Sequence, residues 1–129
     1  MWCFRVGSKP PLPSKEDHIA KAEGNSTLAL SMTLESQPKI DWALVILFYA
    51  AMHYVEAYLA TVGQHLRSHT ARDNFMGRDA RLRKIFPEYQ DLKYYGYNAR
   101  YEMQGFTASN VADAATSFAT VETYIRTIL

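Results

Sequence analysis

Trp42-Ala43-Leu44-Val45-Ile46-Leu47-Phe48-Tyr49-Ala50-Ala51-Met52 is the longest apolar run in the chain, and Val55, Leu59 and Val62 carry it on past His53 and Glu56. Its residues are apolar on nearly every side of a helix, and no two-residue alternation of strand type is present. The run stops short of the roughly 20 apolar residues that cross a bilayer. A helix of this kind is either the centre of a bundle or a face shared with a second subunit. Asp41 is placed to cap its start and Gly63 to end it.

Outward from this segment, helical signals continue in both directions. Before it, Ile19, Ala22, Ser26, Leu30 and Thr33/Leu34 keep helical spacing behind Ser14, with Asp17 in the capping-box position, and Pro38 ends the connection. After it, Thr70-Ala71-Arg72-Asp73 predicts a third helix carrying Phe75, Met76, Leu82, Ile85 and Phe86. Pro87 stops that helix and starts a short one that Gly96 closes, leaving Tyr97–Phe106 irregular. Thr107 or Ser109 caps a last helix with Val111, Ala114/Ala115, Phe118, Val121, Ile125 and Ile128 along one face. The expected fold is all-α, an up-and-down bundle of four long helices plus a short one, over residues 15–129. Gly7-Ser8-Lys9-Pro10-Pro11-Leu12-Pro13-Ser14 closes a flexible, proline-rich tail at 1–14.

At 129 residues the chain is sized for one domain. It has one cysteine, Cys3, so it forms no internal disulfide, in keeping with a reducing compartment. Met1-Trp2-Cys3-Phe4-Arg5 carries no secretory pattern, and a cytoplasmic protein with no membrane partner is expected. The net charge of +1 names no partner by itself, although Arg67, Arg72, Arg78, Arg81, Arg83 and Lys84 concentrate positive charge against Asp73 and Asp79. Such a run either tracks a nucleic-acid backbone or is a solvated face.

Several segments together resemble the HEPN family (higher eukaryotes and prokaryotes nucleotide-binding). They are His18–Asn25 in the first helix, Asp41-Trp42-Ala43 running into Phe48–His53 in the second, Ser68-His69 with Arg72, and Ala99-Arg100-Tyr101. The resemblance covers roughly His18 to Leu129. It implies a bundle that pairs into a dimer, here through helix 42–62, and a toxin–antitoxin, defence or stress context in a prokaryote. Members bind or cleave RNA or bind nucleotides, some with a nucleotidyltransferase or antitoxin partner. The family's nucleases carry an arginine followed four to six residues later by histidine. Arg100 stands at the arginine's place, but Gly105, Phe106 and Thr107 stand where the histidine would fall.

Four histidines and the arginines near them supply the candidate chemistry. His53 and Glu56 share a helix face and could act as an oriented base, or satisfy each other at a seam. His69 and Arg72 open a helix and suit a phosphate, or Arg72 pairs with an acid on a neighbouring helix. Arg100 with Tyr101 combines a phosphate contact with a stacking ring, or anchors a loop. The candidate catalytic set is His53, His69, Arg72 and Arg100, and the candidate RNA or nucleotide contacts are Arg72, Arg100 and Tyr101. Cleavage would need no metal, one histidine taking the 2′-hydroxyl proton while arginines neutralise the phosphorane. No metal-ligand cluster, phosphate loop or cofactor motif is present in the sequence, and the competing reading is a catalytically silent dimerisation or partner-docking module.

Overall fold

The computed structural model describes residues 11–129; most of the expected tail, with Cys3, lies outside them. The protein is an all-α bundle, and no strand occurs among the described residues. In order come α1 (Lys15–Ser31), α2 (Gln37–Thr61), α3 (His69–Arg78), a 3-10 turn (Leu82–Ile85), α4 (Phe86–Tyr101) and α5 (Ala108–Ile128).

Helix α2 is the hub. Leu44, Leu47, Ala51, Tyr54, Val55 and Leu59 are fully enclosed, because α1, α4 and α5 all pack on this one helix. Much of its apolar surface is thereby covered within the chain, while Trp42 stays 53% exposed. By length and composition α2 is apolar enough to cross a membrane, yet 72% of that window is buried against the chain's other helices. Helix α1 presents only Ala22, Ser26 and Ala29 as buried residues, a stripe of small side chains that lets its backbone approach α2 closely. Helix α5 buries Val111, Ala114, Phe118, Val121 and Ile125, the face its spacing predicts.

The helix ends show which local signals prevailed. Ser14 and Asp17 form the expected capping box on α1, and Thr107 forms one with Asn110 on α5. Leu30, expected on the inner face of α1, is 58% exposed, and the helix ends at Ser31, before Thr33 and Leu34. Asp41 does not cap α2. Ser36 does, and Pro38 sits in the first turn, where no intrahelical N–H is needed. Gly63 ends α2 as expected, at φ +73°, a left-handed conformation that glycine adopts without a Cβ clash.

The expected third and fourth helices are exchanged in length. Ser68, not Thr70, caps α3, whose helix is only ten residues long. Asp79 ends it and turns its carboxylate to accept the N–H groups of Arg81 and Leu82 at 2.9 and 3.0 Å, which starts the 3-10 turn. Pro87 then opens α4, which runs straight through Gly96 to Tyr101. Gly96 does not close that helix. A Cβ there would lie 2.9 Å from the Phe48 Cβ, so the glycine is where α4 presses against α2.

Candidate functional site

That close approach forms a groove with one wall on each helix. Lys93, Tyr97, Arg100 and Tyr101 are spaced to share one face of α4, and Trp42, Val45 and Tyr49 share one face of α2. They line two adjoining cavities of about 310 and 410 Å³. Arg100 donates from Nη1 to the Tyr49 hydroxyl at 2.7 Å, and its guanidinium carbon lies 5.1 Å from the Tyr101 ring centre. Tyr97 and Tyr101 stand with ring centres 5.1 Å apart, both more than half exposed. Lys93 reaches the same wall and pairs with Asp73 of α3.

His69, the first residue of α3, also lines this groove, its ring 5.7 Å from that of Phe48. Its Nδ1 lies 3.1 Å from Arg72 Nη1. A guanidinium can only donate, so Nδ1 accepts and the ring proton sits on Nε2. Burial, then Arg72 and Lys93, hold the His69 pKa below its usual value, so the ring is neutral at pH 7. His69 therefore offers the groove an N–H donor.

Arg72 lies behind His69 and is itself buried. Its Nε donates to Glu56 Oε1 at 2.6 Å and its Nη2 to the Leu66 carbonyl at 3.3 Å. The pairing of Arg72 with an acid on a neighbouring helix is the arrangement found. Tyr89 is buried beside this pair, and burial pushes its pKa up. Its hydroxyl has no hydrogen-bond partner among the described residues.

On the far side of Arg72 a second, open groove of about 950 Å³ holds His18, His53 and His65 with Arg67. His53 does not pair with Glu56. Its Nδ1 lies 3.1 Å from His18 Nδ1 of α1, while Glu56 turns to Arg72. Burial, then His18, Lys21 and Arg72, push the His53 pKa down to about 4. Burial likewise lowers His18, partly offset by Glu56 and Asp17. One proton between two neutral rings leaves one of the two Nε2 atoms unprotonated. Among the described residues, no three of the His, Cys, Asp and Glu side chains are gathered as metal ligands.

The chain matches no protein-family model, no curated protein and no solved structure.

The structure thus brings His69, Arg100 and Tyr101 to one groove and His53 to another, with Arg72 as the wall between them. Of the basic run, Arg72 is enclosed, while Arg67, Arg78, Arg81, Arg83 and Lys84 are exposed. Sequence reasoning passed over Trp42, Tyr49, Lys93 and Tyr97 as site residues, and His18 as the partner of His53. The spacing of 93, 97, 100 and 101 reveals a common face only once α4 is continued through Gly96.

Proposed function

We propose that this chain is a HEPN-like protein that binds single-stranded RNA in the groove between α2 and α4. The observation that carries the reading is Arg100, oriented by the Tyr49 hydroxyl and set over Tyr101 amid further exposed rings. Cations that neutralise phosphates, interleaved with rings on which bases stack, are what single-stranded nucleic acid requires of a protein. Lys93, shared with Asp73, and the His69 N–H of α3 add donors to the groove. The sequence resemblance supports a toxin, defence or stress context for such binding.

Binding is better supported than cleavage. Cleavage needs a base for the 2′-hydroxyl, and His69 carries its proton on Nε2 while its Nδ1 is occupied by Arg72. The unprotonated Nε2 belongs to the His18–His53 pair, which lines the other groove.

The test is fluorescence anisotropy of an end-labelled single-stranded RNA in chelator, with a denaturing gel of the same samples. Wild type should bind with an affinity that falls as salt rises, with a log–log slope of about −0.7 per phosphate engaged. Arg100→Ala should weaken binding by about 1–3 kcal/mol and flatten that slope by about one contact. Equal binding by wild type and Arg100→Ala, or none by either, overturns the reading. RNA cut by wild type but left intact by His69→Ala would restore a catalytic role to this groove.

The silent module is the competing use of the same surface, favoured by the exposure of Trp42, Tyr97 and Tyr101 along the groove. Sedimentation without RNA separates the two, since apolar self-association hardly responds to salt.

A further inference from the structure

The groove is not one cavity. Its inner part, about 310 Å³, is lined by Phe48, Tyr49, His69, Lys93 and Tyr97. Its outer part, about 410 Å³, is lined by Pro38, Asp41, Trp42 and Ala99. The two share Val45, Arg100 and Tyr101, which stand at their junction. Each is near the lower size of a small-ligand site, and each has an aromatic wall.

Charge divides them. The inner cavity offers donors from the Lys93 ammonium, which is shared with Asp73, and from the His69 N–H. The outer one has the Asp41 carboxylate, which accepts from Gln37 Nε2 at 2.9 Å and repels a phosphate. The outer cavity therefore suits a neutral base against Trp42, and the anion belongs at Arg100.

We propose that the groove holds one dinucleotide step of RNA: a base in the outer cavity, the connecting phosphodiester at Arg100, and the second nucleoside in the inner cavity. This rests on the RNA-binding reading above. The minimal tight ligand is then a dinucleoside monophosphate, and a single nucleotide fills half of the site.

The experiment is competition against the labelled RNA by uridylyl-uridine and by the methyl phosphodiester of uridine 3′-phosphate, which carries the same single charge and one base fewer. The dinucleotide should bind about 5- to 150-fold more tightly, the span expected for one further stacked base. Trp42→Ala should erase that advantage; Trp42 is 53% exposed, so its removal leaves the core intact. A third uridine should add less than the second did. Equal binding of the methyl diester and the dinucleotide, or a third uridine worth as much as the second, overturns the two-cavity assignment and leaves RNA binding standing. If the labelled RNA does not bind at all, both fall together.

Discussion

Glu56 and Arg72 meet at 2.6 Å with side chains only 8% and 6% exposed, the most enclosed ion pair among the described residues. Removing one partner leaves a buried charge uncompensated, which costs about 3–5 kcal/mol. Arg72→Ala and Glu56→Ala should each destabilise the fold by that amount in urea unfolding. A double variant with apolar residues of similar size, Glu56→Leu with Arg72→Met, should recover most of it. Two single losses that simply add would show that the pair is not coupled.

The His18–His53 pair sets a pH dependence. Both pKa values are depressed in the folded chain, so the unfolded chain takes up protons first as pH falls. The pair's contribution is complete above about 6.5 and is lost as pH drops toward about 4. Asp17 and Glu56 favour a proton on His18, while Lys21 and Arg72 oppose one on His53, so these neighbours stretch the transition without inverting it. The loss across that window should be roughly 1–2 kcal/mol, discounted because water reaches the pair. Unfolding measured at pH 7.5 and 4.5 checks it, and His53→Gln should flatten the difference.

Two glycines in helix interiors should respond oppositely to alanine. At Gly24 nothing lies within 4 Å of the added methyl, so Gly24→Ala should stabilise by about 0.5–1 kcal/mol through helix propensity alone. At Gly96 the methyl meets Phe48 at its Cβ, an atom that cannot swing aside. Overpacking there costs about 1–3 kcal/mol and outweighs the propensity gain. Thermal unfolding of both variants decides, and a stabilised Gly96→Ala would mean that α4 stands further from α2.

Two buried tyrosines form a second contrast. The Tyr54 hydroxyl donates to Glu122 at 2.7 Å and accepts from Arg126 at 2.7 Å, tying α2 to α5. Tyr54→Phe removes both bonds and should cost about 0.5–1.5 kcal/mol, since Glu122 and Arg126 reach solvent and still pair with each other. Tyr89→Phe removes an unpartnered hydroxyl from an equally buried ring and should be neutral or stabilising. The ranking is read from denaturant midpoints at constant m-value.

What was legible in the sequence was local. The Ser14–Asp17 box, the apolar α2 and the α5 face depend on neighbours three or four positions away, and periodicity reports those directly. The misreadings depend on distant partners. Gly96 looks like punctuation until Phe48 is known to lie against it. His53 and Glu56 share a face, but each is claimed by a different helix, His53 by His18 and Glu56 by Arg72. Arg100 was visible as a candidate, whereas the Tyr49 hydroxyl that orients it lies 51 positions earlier.

Because α1 packs almost wholly on α2, where it buries three small side chains, it can lift away without parting α2 from α4 or α5. Its amides should exchange with solvent through an opening that leaves α2, α4 and α5 closed. Such an opening would dismantle the histidine groove, which needs His18, and spare the aromatic one, whose walls belong to other helices. The two grooves would then differ in lifetime as well as in chemistry, one surviving an excursion that erases the other.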